Sequence, residues 1–179
     1  PMSDNVKFSA LTRSSGAFAM LAIDQRESMR VMLANTQREP VSDAQLTAFK
    51  LAALRALTPL ASAVLIDRQF AWRQAIDQQA VAPGCGLIAA ADHFIPSSDE
   101  IVSNVIIDEE VNPQQVKQDG AAALKLLVTW RPDESAEVRR EMVLDFIARC
   151  RSAGLLSIIE PVSRKPNDGR VWDLQEGVM

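Results

Sequence analysis

The 179-residue chain is long enough for one domain with a sizeable core, and its 47% hydrophobic and 23% charged residues are ordinary globular values. A formal net charge of -4 disfavours nucleic acid as a partner, because contacts to phosphates require a basic surface. No stretch of the sequence resembles a transmembrane helix or a secretory signal, and the two cysteines lack metal-ligand spacing. We therefore expect a cytoplasmic protein with reduced thiols and no membrane partner.

The first apolar run, residues 17–23, predicts a strand that is buried on both faces, as in a parallel sheet. It follows a polar lead-in whose apolar residues, Phe8 and Leu11, we expect to close one end of the fold. Later apolar runs repeat the pattern, and each ends in an acidic residue: Asp67, Asp92 and Glu160. A buried strand that ends in an acid, several times over, is typical of an α/β barrel whose chemistry gathers at its C-terminal face.

Helical segments separate these runs. Ser42 and Gln45 have the spacing of a capping box, which predicts a helix to about Leu57. Asn112 and Pro113 predict the start of a short helix before the strand at 121–130. Helices are also predicted over 26–35 and 133–151, residues 68–82 form a helix or a long loop, residues 105–107 an extra short strand, and residues 171–179 begin another helix.

Two of these helices have clear apolar faces. The face predicted to be buried comprises Leu46, Phe49, Ala53, Leu54 and Leu57 in the helix after Ser42. In the helix over 133–151 it comprises Val138, Met142, Val143, Phe146, Ile147 and Cys150.

Alternating strands and helices predict right-handed βαβ units and a parallel sheet. The five main strands are predicted at 17–23, 63–66, 87–91, 121–130 and 155–159. A (β/α)8 TIM barrel takes about 250 residues. The sequence therefore predicts that residues 1–179 are the N-terminal part of a single barrel, covering about its first five β/α units.

Lys125 is the most informative residue, because the rest of its predicted strand is almost entirely apolar. A buried lysine either meets a carboxylate or loses its proton. The first outcome gives a cation that polarises an oxygen, and the second gives an amine that forms a Schiff base. The alternative is a buried stem whose head group reaches solvent. Acidic residues without clustered histidines can also hold Mg²⁺, but the buried lysine favours a metal-free amine mechanism.

Asp24 and Glu160 each end a buried strand, and proton transfer or hydroxyl binding is the function expected of them. Gln25 and Arg26 add hydrogen-bonding groups beside Asp24. The alternative for each acid is the N-cap of a helix, which stands level with function for Asp67 and is the preferred interpretation of Asp92. The single histidine, His93, is expected in a loop rather than in catalysis.

Residues 16–30 closely resemble the first strand of 6-deoxy-6-sulfofructose-1-phosphate aldolases, which group with tagatose-1,6-bisphosphate aldolases among the metal-free class I aldolases. Further similar segments are 91–96, 116–120, 125–128 and 157–161. The resemblance implies a (β/α)8 barrel lyase without a cofactor, a small sugar phosphate substrate and a homo-oligomer. The segments after Phe94 are more similar to the sulfosugar branch.

By this resemblance Lys125, Glu160 and Asp24 are catalytic, with Lys125 beside the reacting carbonyl and Glu160 assisting proton transfers. Gln25, together with Asp24, contacts substrate hydroxyls, and Arg26 and Asp67 complete the predicted substrate-binding residues. The family's Schiff-base lysine lies on the sixth strand, which is not in this chain. The expected reaction cleaves 6-deoxy-6-sulfofructose 1-phosphate to dihydroxyacetone phosphate and sulfolactaldehyde. The alternatives are a tagatose-1,6-bisphosphate aldolase and a catalytically incomplete barrel fragment.

Overall fold

The computed structural model describes residues 8–37 and 39–170, so the helix predicted over 171–179 lies outside the described residues. The α-helices are α1 Glu27–Ala34, α2 Asp43–Leu57, α3 Arg73–Asp77, α4 Pro113–Gln118 and α5 Ala136–Ser152. The strands are β1 Met20–Ala22, β2 Ala63–Ile66, β3 Gly86–Ala90, β4 Asp92–Ile95, β5 Asn104–Ile107, β6 Ala121–Trp130 and β7 Leu156–Ser163.

Five strands form one parallel sheet in the order β1-β2-β3-β6-β7. This order matches the first five strands of a TIM-type barrel and confirms the predicted parallel α/β architecture. The extra strand predicted at 105–107 is also confirmed, because β5 pairs antiparallel with β4 as a separate hairpin. This hairpin lies in sequence between β3 and β6, which are neighbours in the main sheet.

Burial follows the position of each strand in the sheet. The inner strands β2 and β6 are almost entirely buried, whereas Met20 in β1 and Phe18 just before it are about half accessible. The prediction that the first strand is buried on both faces is therefore wrong. Among the described residues β1 pairs only with β2, so no described strand covers its other edge.

The predicted helix starts at Ser42 and Asn112 are confirmed. The hydroxyl of Ser42 accepts a hydrogen bond from the backbone of Gln45, and the side chain of Gln45 accepts one from the backbone of Ser42. Asn112 accepts from the two backbone N–H groups that follow Pro113. Both starts depend on side chains within three residues, which is why the sequence could predict them.

The predicted buried faces of the long helices are only partly confirmed. In α2, Leu46 and Leu54 are fully buried, and Lys50 is buried between these two leucines. Phe49 and Leu57, which were predicted to be buried, are exposed. In α5 the inward positions are Phe146 and Cys150, whereas Val138 is exposed near the N-terminal end. No helix in the described part of the chain is both long and apolar enough to span a bilayer.

Leu11 packs at the N-terminal end of the sheet against Ala63, Ile88 and Ala123, which confirms its predicted position. Phe8, by contrast, is exposed, so the prediction that it also closes this end is wrong. The segment reaches this position by passing close to Gly86. A Cβ at Gly86 would lie 2.0 Å from the carbonyl oxygen of Ala10, so no side chain fits there.

Gly86→Ala should lower the free energy of unfolding by about 1–3 kcal/mol, because the added methyl group displaces the backbone at Ala10. Denaturant unfolding measures this loss. Gly16→Ala is the control, since a Cβ there meets nothing within 4 Å and its cost is restricted to backbone strain at φ +82°. A smaller loss for Gly86→Ala than for the control would contradict the close approach.

Candidate active site

The centre of the site is the ammonium of Lys125, which β6 carries toward the carboxyl ends of the neighbouring strands. Its Nζ lies 2.7 Å from Asp24, 2.8 Å from Asp92 and 2.9 Å from Glu160. These acids come from the end of β1, the start of β4 and β7. Four separate chain segments therefore meet at one cation, as predicted for Asp24, Lys125 and Glu160.

The surroundings of Lys125 keep it protonated. Burial lowers its pKa, but the charges of Asp92 and Asp24 and their hydrogen bonds outweigh burial, so the pKa is raised above the ordinary lysine value. The side chain is 2% exposed, so the alternative in which the head group reaches solvent is wrong. Lys125 is thus a fixed cation, suited to polarising an oxygen.

The three acids differ in exposure. The side chain of Asp92 is fully buried, that of Asp24 is 10% exposed and that of Glu160 is 48% exposed. A carboxylate that touches both the buried cation and solvent can exchange protons with water and pass them to a bound molecule. Of the three acids, Glu160 is the one placed for that exchange.

Asp92 is not the helix cap that was predicted. It begins β4, and its carboxylate accepts hydrogen bonds from Lys125, from the backbone of Leu127 at 3.0 Å and from Arg26 at 2.7 Å. The next residue, His93, lies in β4 with an exposed side chain rather than in a loop. The acid directly after a buried strand is the same signal that identified Asp24, and it applied equally to Asp92.

Arg26 contacts the ion cluster through Asp92. Its guanidinium donates to the side chain and the backbone carbonyl of Asp92 and lies 4.2 Å above the ring of Phe94. Arg26 is 8% exposed. In this structure it holds Asp92 in place, whereas Gln25 lines the cavity as expected of a substrate-binding residue.

Asp67 does not join the cavity. Its fully buried carboxylate pairs with the ammonium of Lys50 and accepts from the backbone of Phe70 at 2.7 Å, which caps the π-helical turn Arg68–Trp72. The expectation that Asp67 lies around the same cavity as Lys125 is wrong, because the Lys50 ammonium draws its carboxylate to the helix side of the sheet. The capping alternative is the one that the geometry favours.

Lys50 is a buried charge that the sequence analysis missed. It lies between Leu46 and Leu54 at helical spacing, on the face of α2 that packs against the sheet. That spacing was the available signal, since a lysine between two core leucines must find a buried partner.

A cavity of about 500 Å³ opens above Lys125. The loop between β4 and β5 forms one wall, and Arg131 fastens this loop through an ion pair to Glu100 and a 2.9 Å hydrogen bond to the carbonyl of Ser103. The lining residues are Asp24, Gln25, Ser28, Phe94, Asp99, Glu100, Ile101, Val102, Lys125, Leu127, Glu160 and Arg164. Within residues 8–37 and 39–170, no three His, Cys, Asp or Glu side chains form a metal-binding group.

Lys125→Met should destabilise the protein by about 3–5 kcal/mol, because it leaves two carboxylates buried without their cation. The folded-state pKa of Lys125 lies above the ordinary value of 10.5, so its stabilisation is complete below that pH and is lost as the pH rises through the folded-state value. Urea unfolding across the alkaline range should show that the difference in the free energy of unfolding between wild type and variant shrinks only above about pH 10.5.

Lys117→Met, which removes one exposed hydrogen bond to Gly154, is the control. An equal loss in both variants would contradict the buried ion cluster.

Comparison with known proteins identifies the family of the chain. Residues 18–174 match the model of the DeoC/LacD family aldolases. The tagatose 1,6-diphosphate aldolase of Listeria monocytogenes is 32% identical over 180 residues, covering 93% of this chain and 49% of that protein. Tagatose 1,6-diphosphate aldolase 2 of Enterococcus faecalis is 30% identical over 133 residues, covering 73% and 38%. The chain spans about half the length of these relatives or less. It belongs to the DeoC/LacD family of aldolases.

Proposed function

We propose that the protein containing this chain is a class I aldolase that cleaves tagatose 1,6-bisphosphate to dihydroxyacetone phosphate and glyceraldehyde 3-phosphate. The observation that carries the proposal is the buried cation Lys125, held by three carboxylates at the cavity floor. Relatives named tagatose 1,6-diphosphate aldolases support this substrate. The first expectation, 6-deoxy-6-sulfofructose 1-phosphate, is now the second candidate, supported by the sequence resemblance after Phe94.

The reaction needs a neutral amine as nucleophile, and Lys125 holds its proton. We therefore place the Schiff-base lysine outside this chain, on the sixth barrel strand that the family resemblance implies. Attack on the substrate's C2 carbonyl and loss of water give an iminium ion. Removal of the C4 hydroxyl proton breaks the C3–C4 bond and releases glyceraldehyde 3-phosphate. The electron pair of the broken bond forms an enamine with the iminium carbon. Protonation at C3 and hydrolysis release dihydroxyacetone phosphate.

The described residues supply the groups around this nucleophile. The charge of Lys125 stabilises the negative charge that develops on the reacting oxygen, and Glu160 removes the C4 hydroxyl proton and returns it to C3. Asp24 and Gln25 bind substrate hydroxyls, since both line the cavity beside Lys125. Asp92 holds Lys125 in place, and Arg26 in turn holds Asp92. The iminium ion that the nucleophilic lysine forms with the substrate is the electron sink, so the mechanism requires no metal ion.

The test is a cleavage assay of the full-length protein with tagatose 1,6-bisphosphate and with 6-deoxy-6-sulfofructose 1-phosphate, in excess chelator. We expect activity to persist without metal and kcat/KM to be higher for the bisphosphate. Borohydride reduction during turnover should attach substrate to a lysine outside residues 1–179, located by peptide mass mapping. An adduct on Lys125, or activity that chelation abolishes and a divalent metal restores, would contradict the mechanism.

Arg164 is our candidate for the substrate's distal phosphate. The cavity's cationic lining residues are Lys125 and Arg164, and Lys125 is already surrounded by three carboxylates. Arg164 follows Glu160 by four residues, which is roughly 13 Å along an extended strand. It therefore lies far enough from the reacting carbonyl to meet the other end of a six-carbon sugar.

Arg164→Gln should raise KM for tagatose 1,6-bisphosphate by about 10–100-fold, because a charge-assisted hydrogen bond contributes about 1.5–3 kcal/mol. KM for tagatose 1-phosphate, which lacks the distal group, should stay unchanged in steady-state assays. Lys165→Gln is the matched control, since its ammonium pairs with Asp99 and does not line the cavity. Equal losses with both substrates would rule out a distal-phosphate role.

A further inference from the structure

We propose that Lys50 is a positioning residue for the active site, which holds the backbone on both sides of Asp24 and so directs that carboxylate at Lys125. Lys50 lies in α2, on the outer side of the sheet, and does not line the cavity. Its part in catalysis rests on the proposed aldolase function, whereas its effect on the geometry of Asp24 does not.

The contacts of Lys50 surround one residue. Its Nζ donates to the carbonyl of Ile23 at 2.7 Å and to the carbonyl of Gln25 at 2.6 Å, which are the residues before and after Asp24. The third contact is the carboxylate of Asp67. An ammonium has three N–H donors, so these acceptors use all of them and leave none for a substrate.

The segment that Lys50 holds lies beyond regular structure. β1 ends at Ala22, and the last backbone hydrogen bond of this edge to β2 runs from the N–H of Ile23 to the carbonyl of Leu65, at 2.9 Å. Asp24 follows directly, and α1 starts at Glu27. Lys50 therefore anchors the turn at the point where the sheet pairing stops, and the direction of the Asp24 side chain depends on that anchor.

Stability alone does not account for a lysine at this position. The side chains of Lys50 and Asp67 are both fully buried, and burial lowers the pKa of Lys50 against the opposing charge of Asp67. Replacement of a buried ion pair by apolar residues of similar volume is often neutral or stabilising. A leucine-like side chain would fill the space between Leu46 and Leu54 but could not bind the two carbonyls.

The experiment compares Lys50→Met with Leu54→Ala in the full-length protein. Leu54 is fully buried on the same face of α2 and cannot donate a hydrogen bond to either carbonyl, so its variant reports general destabilisation. Four quantities are measured: kcat, KM, the melting temperature, and the rate at which an amine-reactive reagent modifies Lys125 at one alkaline pH, followed by mass spectrometry.

For Lys50→Met we expect kcat to fall about 100-fold and KM to rise as well, because the displaced Asp24 both contacts Lys125 and binds substrate hydroxyls. Modification of Lys125 should become about tenfold faster, since loss of contact with Asp24 lowers its pKa by about one unit. Leu54→Ala should lower the melting temperature without either change. Asp67→Asn keeps the Lys50 side chain and both carbonyls, and even an uncharged amine has one N–H donor for each carbonyl, so Lys125 modification should stay near the wild-type rate.

The proposal is overturned if Lys50→Met loses melting temperature but matches Leu54→Ala in both kcat and Lys125 modification. If Lys50→Met does not fold, Lys50→Gln replaces it, because the amide keeps two donors on a shorter side chain. Its smaller changes should have the same direction, and unchanged values would overturn the proposal. If the wild type has no aldolase activity, the proposed function fails, and Lys125 modification alone then decides the positioning role.

Discussion

The ion cluster around Lys125 determines where four chain segments must lie. Its ammonium is within 2.9 Å of the carboxylates of Asp24, Asp92 and Glu160. Removing such charges from water costs several kcal/mol for each ion, so the buried members Lys125, Asp24 and Asp92 depend on one another. Lys125 also pairs in the sheet with Ala90 and Ile158. The same interaction therefore favours one register of β6 and arranges the reactive groups.

The two buried lysines differ because their surroundings differ. Lys125 contacts three carboxylates, and its pKa is raised, whereas Lys50 hydrogen-bonds to one carboxylate, that of Asp67, and burial lowers its pKa. Lys125 lines the cavity, whereas Lys50 lies on the buried face of α2. A positive charge thus lies on each side of Asp24, one touching its carboxylate and the other its flanking carbonyls.

The sequence predicted those features that depend on neighbouring residues. The inner strands follow from continuous apolar runs, and the helix starts at Ser42 and Asn112 follow from caps within three residues. The roles of Asp67 and Asp92 did not follow, because both acids end buried runs and present the same local pattern. Their partners, Lys50 and Arg26, lie 17 and 66 residues away along the chain, so tertiary packing alone distinguishes them.

The loop of the β4–β5 hairpin forms a wall of the cavity outside the main sheet, whereas Asp92 at the start of β4 belongs to the ion cluster at the floor. The hairpin has its own antiparallel pairing, and Arg131 fastens its loop at Glu100 and Ser103. Insertions or deletions in this loop leave the registers of β3 and β6 unchanged, since those strands pair directly with each other. Such a modular arrangement lets the shape of the binding site evolve independently of the residues that carry the chemistry.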